Sequence, residues 1–273
     1  MTLRILAAAP RAGATWVSGG FALFLKKPMA FSALFVLFLF AGIALLALPY
    51  VGAVLVLMAW PLLSLGIMIA ARSAQAGGPV HPGQLVEPLR AAGADEAARR
   101  RTLLALCGLF ALTNALVMLA GDAVDGGAFE RLQTLLASAR NEAVQKDIDA
   151  LLADANLRWG VALRLGGSTL LSLLFWHAPA LVWWQGQGVA QALFSSTLAC
   201  WRNRTAFLVY GMAWTVTVLL FGLVAGTLFA LMGAPQLVVL AAVPGALMFS
   251  TAFYVSLLFT YQGCFGEDEA PTS

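Results

Sequence analysis

The sequence predicts an all-α integral membrane protein: a bundle of six transmembrane helices, two helices on the membrane surface, and one helical segment outside the membrane. Three observations lead to this prediction. Hydrophobic residues make up 61% of the chain and charged residues 11%, whereas soluble domains carry about 25% charged residues. The apolar residues form uncharged runs of about 20 residues or more, the length that a membrane helix needs. The Lys and Arg residues cluster between these runs.

Six runs qualify as membrane spans, and all of them belong to one membrane domain that covers residues 1–273. Their approximate limits are 29–48, 50–72, 102–121, 162–184, 205–232 and 236–262. The first two spans are separated only by Leu48-Pro49-Tyr50, and the last two by Gly233-Ala234-Pro235. Because Pro and Gly favour turns, each of these pairs predicts a tight helical hairpin.

The distribution of basic residues predicts the orientation of the chain. Eleven Lys and Arg residues lie before the first span and in the second and fourth linkers, against five in the third linker and none in the two tight turns. Basic loops stay in the cytoplasm, so both chain termini are predicted to be cytoplasmic. The same distribution explains the net charge of +3 without a nucleic-acid partner.

Two segments predict helices that lie along the cytoplasmic membrane surface. Beside Trp16, one helical face of the first segment carries Val17, Phe21, Phe24 and Leu25. One face of the second segment carries Ala190, Phe194, Leu198 and Trp201. Aromatic and basic residues at such a boundary are typical of interfacial helices. The alternative is that both segments extend the neighbouring spans.

The third linker, residues 122–161, predicts a periplasmic amphipathic excursion of one long helix or two short ones. One apolar stripe carries Leu132, Leu135, Leu136 and Ala139. A second stripe carries Val144, Ile148, Leu151 and Leu152. Five basic and seven acidic residues make the opposite face solvated. The stripes need a cover, either from the protein's own spans or from a protein partner.

The sequence gives no sign of catalysis, of a cofactor or of a metal site. It contains no HExxH, GxSxG, Walker or GxGxxG motif, and no span has an Asp, Glu, Lys or Arg in its interior, which argues against proton-coupled transport. The three cysteines are far apart and are interpreted as packing residues. The two histidines of the chain, His81 and His177, have no acidic cluster beside them, so no metal is expected.

Five residues are candidates for contacts with a transported solute or a partner: His177, Pro179, Asn114, Pro61 and Pro244. Prolines inside spans kink helices and free carbonyl groups, and they mark binding sites in some transporters. A structural role for His177 predicts a dry ring bonded to a carbonyl or a single hydroxyl. A transport role predicts a ring in a water-accessible cavity, near Ser172, Thr169 or Asn114.

A further candidate is the GxxxG pattern of Gly222 and Gly226 in the fifth span, which lets another helix approach closely. That helix is either internal or part of a second protein.

Several blocks of sequence resemble an uncharacterised family of proteobacterial inner-membrane proteins. The most specific block runs from Ala178-Pro179-Ala180-Leu181-Val182 to Tyr210-Gly211. Trp16, Gly20-Phe21 and Pro28 extend the resemblance to the N-terminal region. The chain departs from the family pattern at His177, where an aromatic residue is expected, and after Tyr261, where an Arg-Asp pair is expected. The family is distantly similar to the membrane domain of some glycerophosphoryl diester phosphodiesterases, and it transfers no catalytic or binding residues.

Two hypotheses of function follow. The first is a non-catalytic accessory or scaffold subunit that works with a membrane partner complex through the periplasmic segment or the Gly222/Gly226 face. The second is an uncoupled transporter or channel for a small solute. A scaffold should be solidly packed, whereas a conduit should contain a continuous polar cavity. Membrane lipid is the partner expected in both cases.

Overall fold

The structure is a computed structural model that describes residues 3–90, 92–138, 142–234 and 236–267. It confirms an all-α polytopic bundle. Within these ranges, six helical segments are long and apolar enough to cross a membrane. They are Pro28–Leu46, Gly52–Gln75, Ala94–Asp125, Ala155–Gln185, Arg204–Leu231 and Leu237–Cys264. The third and fourth spans continue further into the third linker than the sequence predicts.

The secondary-structure elements follow one another along the chain with short connections. The helices are α1 Ala12–Lys26, α2 Pro28–Leu46, α3 Gly52–Gln75, α4 Gly83–Arg90, α5 Ala94–Asp125, α6 Ala128–Ser138, α7 Glu142–Ala153, α8 Ala155–Phe175, α9 Ala178–Gln185, α10 Val189–Arg202, α11 Arg204–Leu231 and α12 Leu237–Cys264. The strands are β1 Leu3–Ile5 and β2 Phe265–Glu267. The fourth span consists of α8 and α9 together.

Both ends of the described chain meet on one side of the membrane. Strand β1 pairs antiparallel with β2, with Ile5 opposite Phe265. Asn203 anchors the segment after β1, because its Oδ1 accepts from the backbone N–H of Ala8 at 2.7 Å and its Nδ2 donates to the carbonyl of Leu6 at 3.0 Å. We call this side of the membrane the terminus side and the other the far side.

The tightest packing lies in the terminus-side half of the bundle. Residues 63 and 65–71 of α3, residues 178–182 of α9 and most of residues 251–264 of α12 are buried there. Towards the far side the outer helices are exposed, and Leu231 of α11 and Val239 of α12 are 82% and 74% exposed. Apolar surface of this kind is covered by lipid in a membrane.

The two predicted surface helices bury different faces. Helix α10 packs its small residues Ala192, Ser196 and Ala199 inward, so the predicted face with Phe194 and Trp201 is exposed. Helix α1 instead packs its predicted face on α11 and α12, where Trp16, Val17 and Phe24 are buried. Glycines explain this close approach, because a Cβ on Gly20 would lie 2.5 Å from Ser256 Cβ.

The segment outside the membrane forms two helices, α6 and α7, on the far side. Leu132 and Ile148 are buried between them, together with Leu157 at the start of α8. Leu135, Val144 and Leu151 pack around this small core, whereas Leu136 and Leu152 are exposed by 58% and 53%. The two stripes therefore largely cover each other. Ala139 of the first stripe lies outside the described residues.

Candidate functional site

The fourth span is interrupted in the membrane, and a side chain from α10 repairs the interruption. Helix α8 ends at Phe175 and α9 begins at Ala178, followed at once by Pro179. Ser196 bridges the gap: its Oγ accepts from the backbone N–H of His177 at 3.0 Å and donates to the carbonyl of Leu173 at 3.3 Å. In an unbroken helix this N–H would bond directly to that carbonyl. The break is thus hydrogen-bonded within the protein, as the membrane interior requires.

His177 lies inside this break and is completely buried. Its Nε2 is 3.2 Å from Thr260 Oγ1. The Thr260 hydroxyl donates to the carbonyl of Leu257 and accepts from Trp176 Nε1, so His177 Nε2 must carry the proton and donate. Nδ1 then carries the lone pair, and it has no hydrogen-bond partner among the described residues.

Aromatic rings enclose the imidazole of His177. The rings of Phe207, Tyr261 and Phe265 present edge contacts to it at centroid distances of 6.0, 6.1 and 5.3 Å. Asn114, one of the partners considered for a transport role, donates instead to the carbonyl of Phe110 in its own helix. The surroundings of His177 are therefore apolar and aromatic, with a single hydroxyl as partner.

The other candidate residues do not gather around His177. Pro61 is buried and lines a small cavity in the membrane, Pro179 is buried in the first turn of α9, and Pro244 is exposed on α12. The structure thus places the three prolines at separate points, and it brings only Pro179 next to His177.

The cavity beside Pro61 lies between four spans and measures about 160 Å³. Helices α3, α5, α8 and α12 contribute its walls, which include Trp60, Phe110, Trp176 and Tyr254. Its two serine hydroxyls already bond to carbonyls of their own helices. The lining is mainly aromatic, so the cavity suits an apolar group better than a hydrated solute.

Among the described residues, no helix packs closely against the Gly222/Gly226 face. A Cβ at either glycine would have no neighbour within 4 Å among the described residues. Gly222 instead lines an apolar crevice of about 280 Å³ between α11 and α12, with Ala225, Ala242 and Gly245. The internal helix that the GxxxG pattern could have packed against is therefore not at this face.

A buried charge cluster joins the far-side ends of the third and fourth spans. The Arg164 guanidinium in α8 forms ion pairs with Asp122 and Asp125 of α5, and its Nη1 is 2.6 Å from Asp125 Oδ2. It also lies over the ring of Phe129, 4.7 Å from the centroid. The Arg164 and Asp125 side chains are 6% and 0% exposed, so this pair is shielded from water.

Two glycines make room for this cluster. A Cβ on Gly121 would lie 2.6 Å from Arg164 Cζ, and a Cβ on Gly160 would lie 2.8 Å from Asp125 Cβ. In the sequence, Arg164 counts with the third linker, and no motif there predicts the cluster. Gly160 stands one turn before Arg164, and the two aspartates are three residues apart on α5, but neither spacing shows that the two helices pack together.

These features define the class of the protein, a polytopic α-helical integral membrane protein with a packed terminus-side core. The chain is 32% identical over 275 residues to a probable inner membrane protein of Burkholderia thailandensis, an alignment that covers 98% of this chain and 96% of the relative. The chain belongs to the family of that protein and is a multi-pass inner-membrane protein. No family profile matches it, and no solved structure is significantly similar.

Proposed function

We propose that this chain is a non-catalytic accessory or scaffold subunit that works with a partner in the inner membrane. The observation that carries the proposal is the packing of the fourth span. Its break is closed by Ser196 and surrounded by aromatic rings, so the residue with the strongest sequence signal, His177, is enclosed by protein groups. A bundle of this kind offers its outer surfaces, rather than an internal site, for function.

The proposed contact surface is the exposed apolar part of α6 and α7, centred on Leu136 and Leu152. These side chains are left uncovered although the other described residues of both stripes are packed. We place this surface in the periplasm and both termini in the cytoplasm, because the basic residues concentrate on the terminus side. The distant similarity to the membrane domain of glycerophosphoryl diester phosphodiesterases stays a prediction.

Site-specific photo-crosslinking in cells tests this proposal. A benzophenone amino acid at position 136 or 152 should give a discrete protein adduct, which mass spectrometry then identifies. The matched control is position 133, because Gln133 is exposed on the same helix but lies outside the apolar stripe. Adducts of equal yield at all three positions, or at none of them, would contradict a specific contact here.

The alternative function is an uncoupled transporter or channel for a small solute. The cavity between four spans, with Pro61 in its wall, is the observation in its favour. Osmotic swelling of proteoliposomes with glycerol as the solute tests it. A conduit through this cavity predicts faster swelling than in empty liposomes, and slower swelling when Ser64→Leu fills the cavity. The scaffold proposal predicts that the protein does not change the rate.

A further inference from the structure

An open cleft of about 320 Å³ lies on the terminus side, where the second, fourth and sixth spans end. Its lining includes Arg72, Trp184, Gln185, Tyr261, Gln262 and Phe265. The volume is within the range of small-molecule sites, about 300–1,000 Å³. The cleft shares the rings of Tyr261 and Phe265 with the surroundings of His177. It contains no residue of the α6–α7 surface, so a ligand here does not depend on the proposed scaffold function.

Arg72 supplies a positive charge to the cleft. Its guanidinium lies over the Trp184 ring, 5.1 Å from the centroid. Among the described residues it forms no ion pair and donates no hydrogen bond to a protein group. Stacking on an aromatic face fixes the position of a guanidinium group. Its N–H groups remain available at the edge of the guanidinium plane, in a geometry that suits phosphate oxygens.

The groups around Arg72 are already held in place. The Trp184 and Tyr261 rings meet edge to face at 4.9 Å, and Gln185 Nε2 is 3.4 Å from the Tyr261 hydroxyl. Arg99 donates to the carbonyl of Trp183 at 3.0 Å and so fixes the backbone next to Trp184. A site whose walls are fixed before binding loses less conformational entropy when its ligand arrives.

The position of the cleft favours a membrane lipid over a solute as its ligand. It opens at the ends of three spans, at the depth where Trp and Tyr meet lipid headgroups. Along α12, Leu258 and Tyr261 line the cleft, while Tyr254 and Leu257 line the apolar cavity inside the membrane. These residues fall within two helical turns. A molecule with a charged head and apolar chains fits a polar cleft that lies next to an apolar cavity.

We propose that this cleft binds the headgroup of an anionic phospholipid from the terminus-side leaflet, with Arg72 contacting the phosphate. Arg72 is the residue that recognises charge, and Trp184 positions it. Gln262 stands at the exposed rim, where it exchanges hydrogen bonds with Gln75 at 2.8 and 3.4 Å.

Native mass spectrometry of the purified full-length protein, titrated with phosphatidylglycerol, tests the proposal. Arg72→Gln should lower the affinity for phosphatidylglycerol about tenfold, because it removes a charge-assisted contact to phosphate. Arg204→Gln is the matched control, since Arg204 also lies over a tryptophan, Trp201, at 5.5 Å, but lines no part of the cleft. This control should change the affinity less than twofold. Thermal unfolding of both variants checks that each one folds.

Three outcomes would overturn the proposal. The first is an equal loss of affinity in the Arg72 and Arg204 variants, which would indicate general surface charge. The second is equal binding of phosphatidylcholine, which carries phosphate but no net charge. The third is displacement of phosphatidylglycerol by millimolar inorganic phosphate, which would make this a site for free phosphate.

Discussion

Asparagine in place of Asp125 should destabilise the protein strongly, because it leaves a buried arginine short of a counter-charge. Asp125 Oδ2 accepts from Arg164 Nη1 at 2.6 Å, and Oδ1 accepts from the backbone N–H of Gly127 at 2.9 Å. Asparagine keeps the shape and can keep the bond to Gly127, but its Nδ2 donor then faces Arg164, so the substitution removes both the counter-charge and the accepting oxygen. Removing one partner of a buried ion pair costs about 3–5 kcal/mol. We expect the lower end of that range, because Asp122 still pairs with Arg164.

The same substitution at Asp122 provides the comparison. The Asp122 side chain is 52% exposed, so solvent screens its interaction, and Asp122→Asn should cost about 1 kcal/mol or less. Denaturant unfolding in detergent micelles measures both free energies of unfolding. A double variant, Asp125→Asn with Arg164→Met, should lose less stability than the two single changes added together, because it removes the unpaired charge. Equal losses below about 1 kcal/mol in the two aspartate variants would refute the burial argument.

Three more predictions concern Gly160, Ser196 and Gln145. Gly160→Ala should destabilise the protein by about 1–3 kcal/mol, because its Cβ would lie 2.8 Å from Asp125 Cβ. Gly166→Ala in the same helix meets open space and should be neutral or stabilising. Thermal unfolding distinguishes the two variants. Ser196→Ala should cost about 1–3 kcal/mol, because it leaves the buried N–H of His177 unpaired; Thr197→Ala, at an exposed neighbouring position, is the control in the same assay. A cysteine replacing Gln145, which is exposed on α7, should react with a membrane-impermeant maleimide from the periplasm; labelling from the cytoplasm alone would reverse the proposed orientation.

The interruption of the fourth span could be predicted from the sequence, but its hydrogen-bond partners could not. Pro179 predicts a kink, since proline lacks an N–H and disrupts the preceding helix. The sequence does not tell which group bridges the His177 N–H and the Leu173 carbonyl where the helix is interrupted. Ser196 does so from 19 residues further along the chain, and Thr260 reaches the imidazole from 83 residues away. Such partners depend on how α10 and α12 pack against the fourth span.

Helices α1 and α10 carry similar sequence patterns and still bury different faces. Both have an apolar stripe followed by basic residues, and both patterns predict a helix facing lipid. Gly13 and Gly20 of α1 let α11 and α12 approach its backbone, so Trp16 and Phe24 are covered by protein. In α10 the small residues are on the opposite face, and the stripe with Phe194 and Trp201 stays exposed. The arrangement of small residues around each helix decided which face was buried.

The sequence by itself determined the class of protein and the number of spans, because a membrane helix is specified locally: about 20 apolar residues satisfy their own backbone within one segment. Tertiary structure decided the sites. Arg164 and Asp125 are 39 residues apart, and both stand near span ends, where a charge is unremarkable in sequence. Only the packing of α8 on α5, permitted by Gly121 and Gly160, turns these charges into a buried pair. Likewise, Arg72 and Trp184 form one cleft only because the second and fourth spans end side by side.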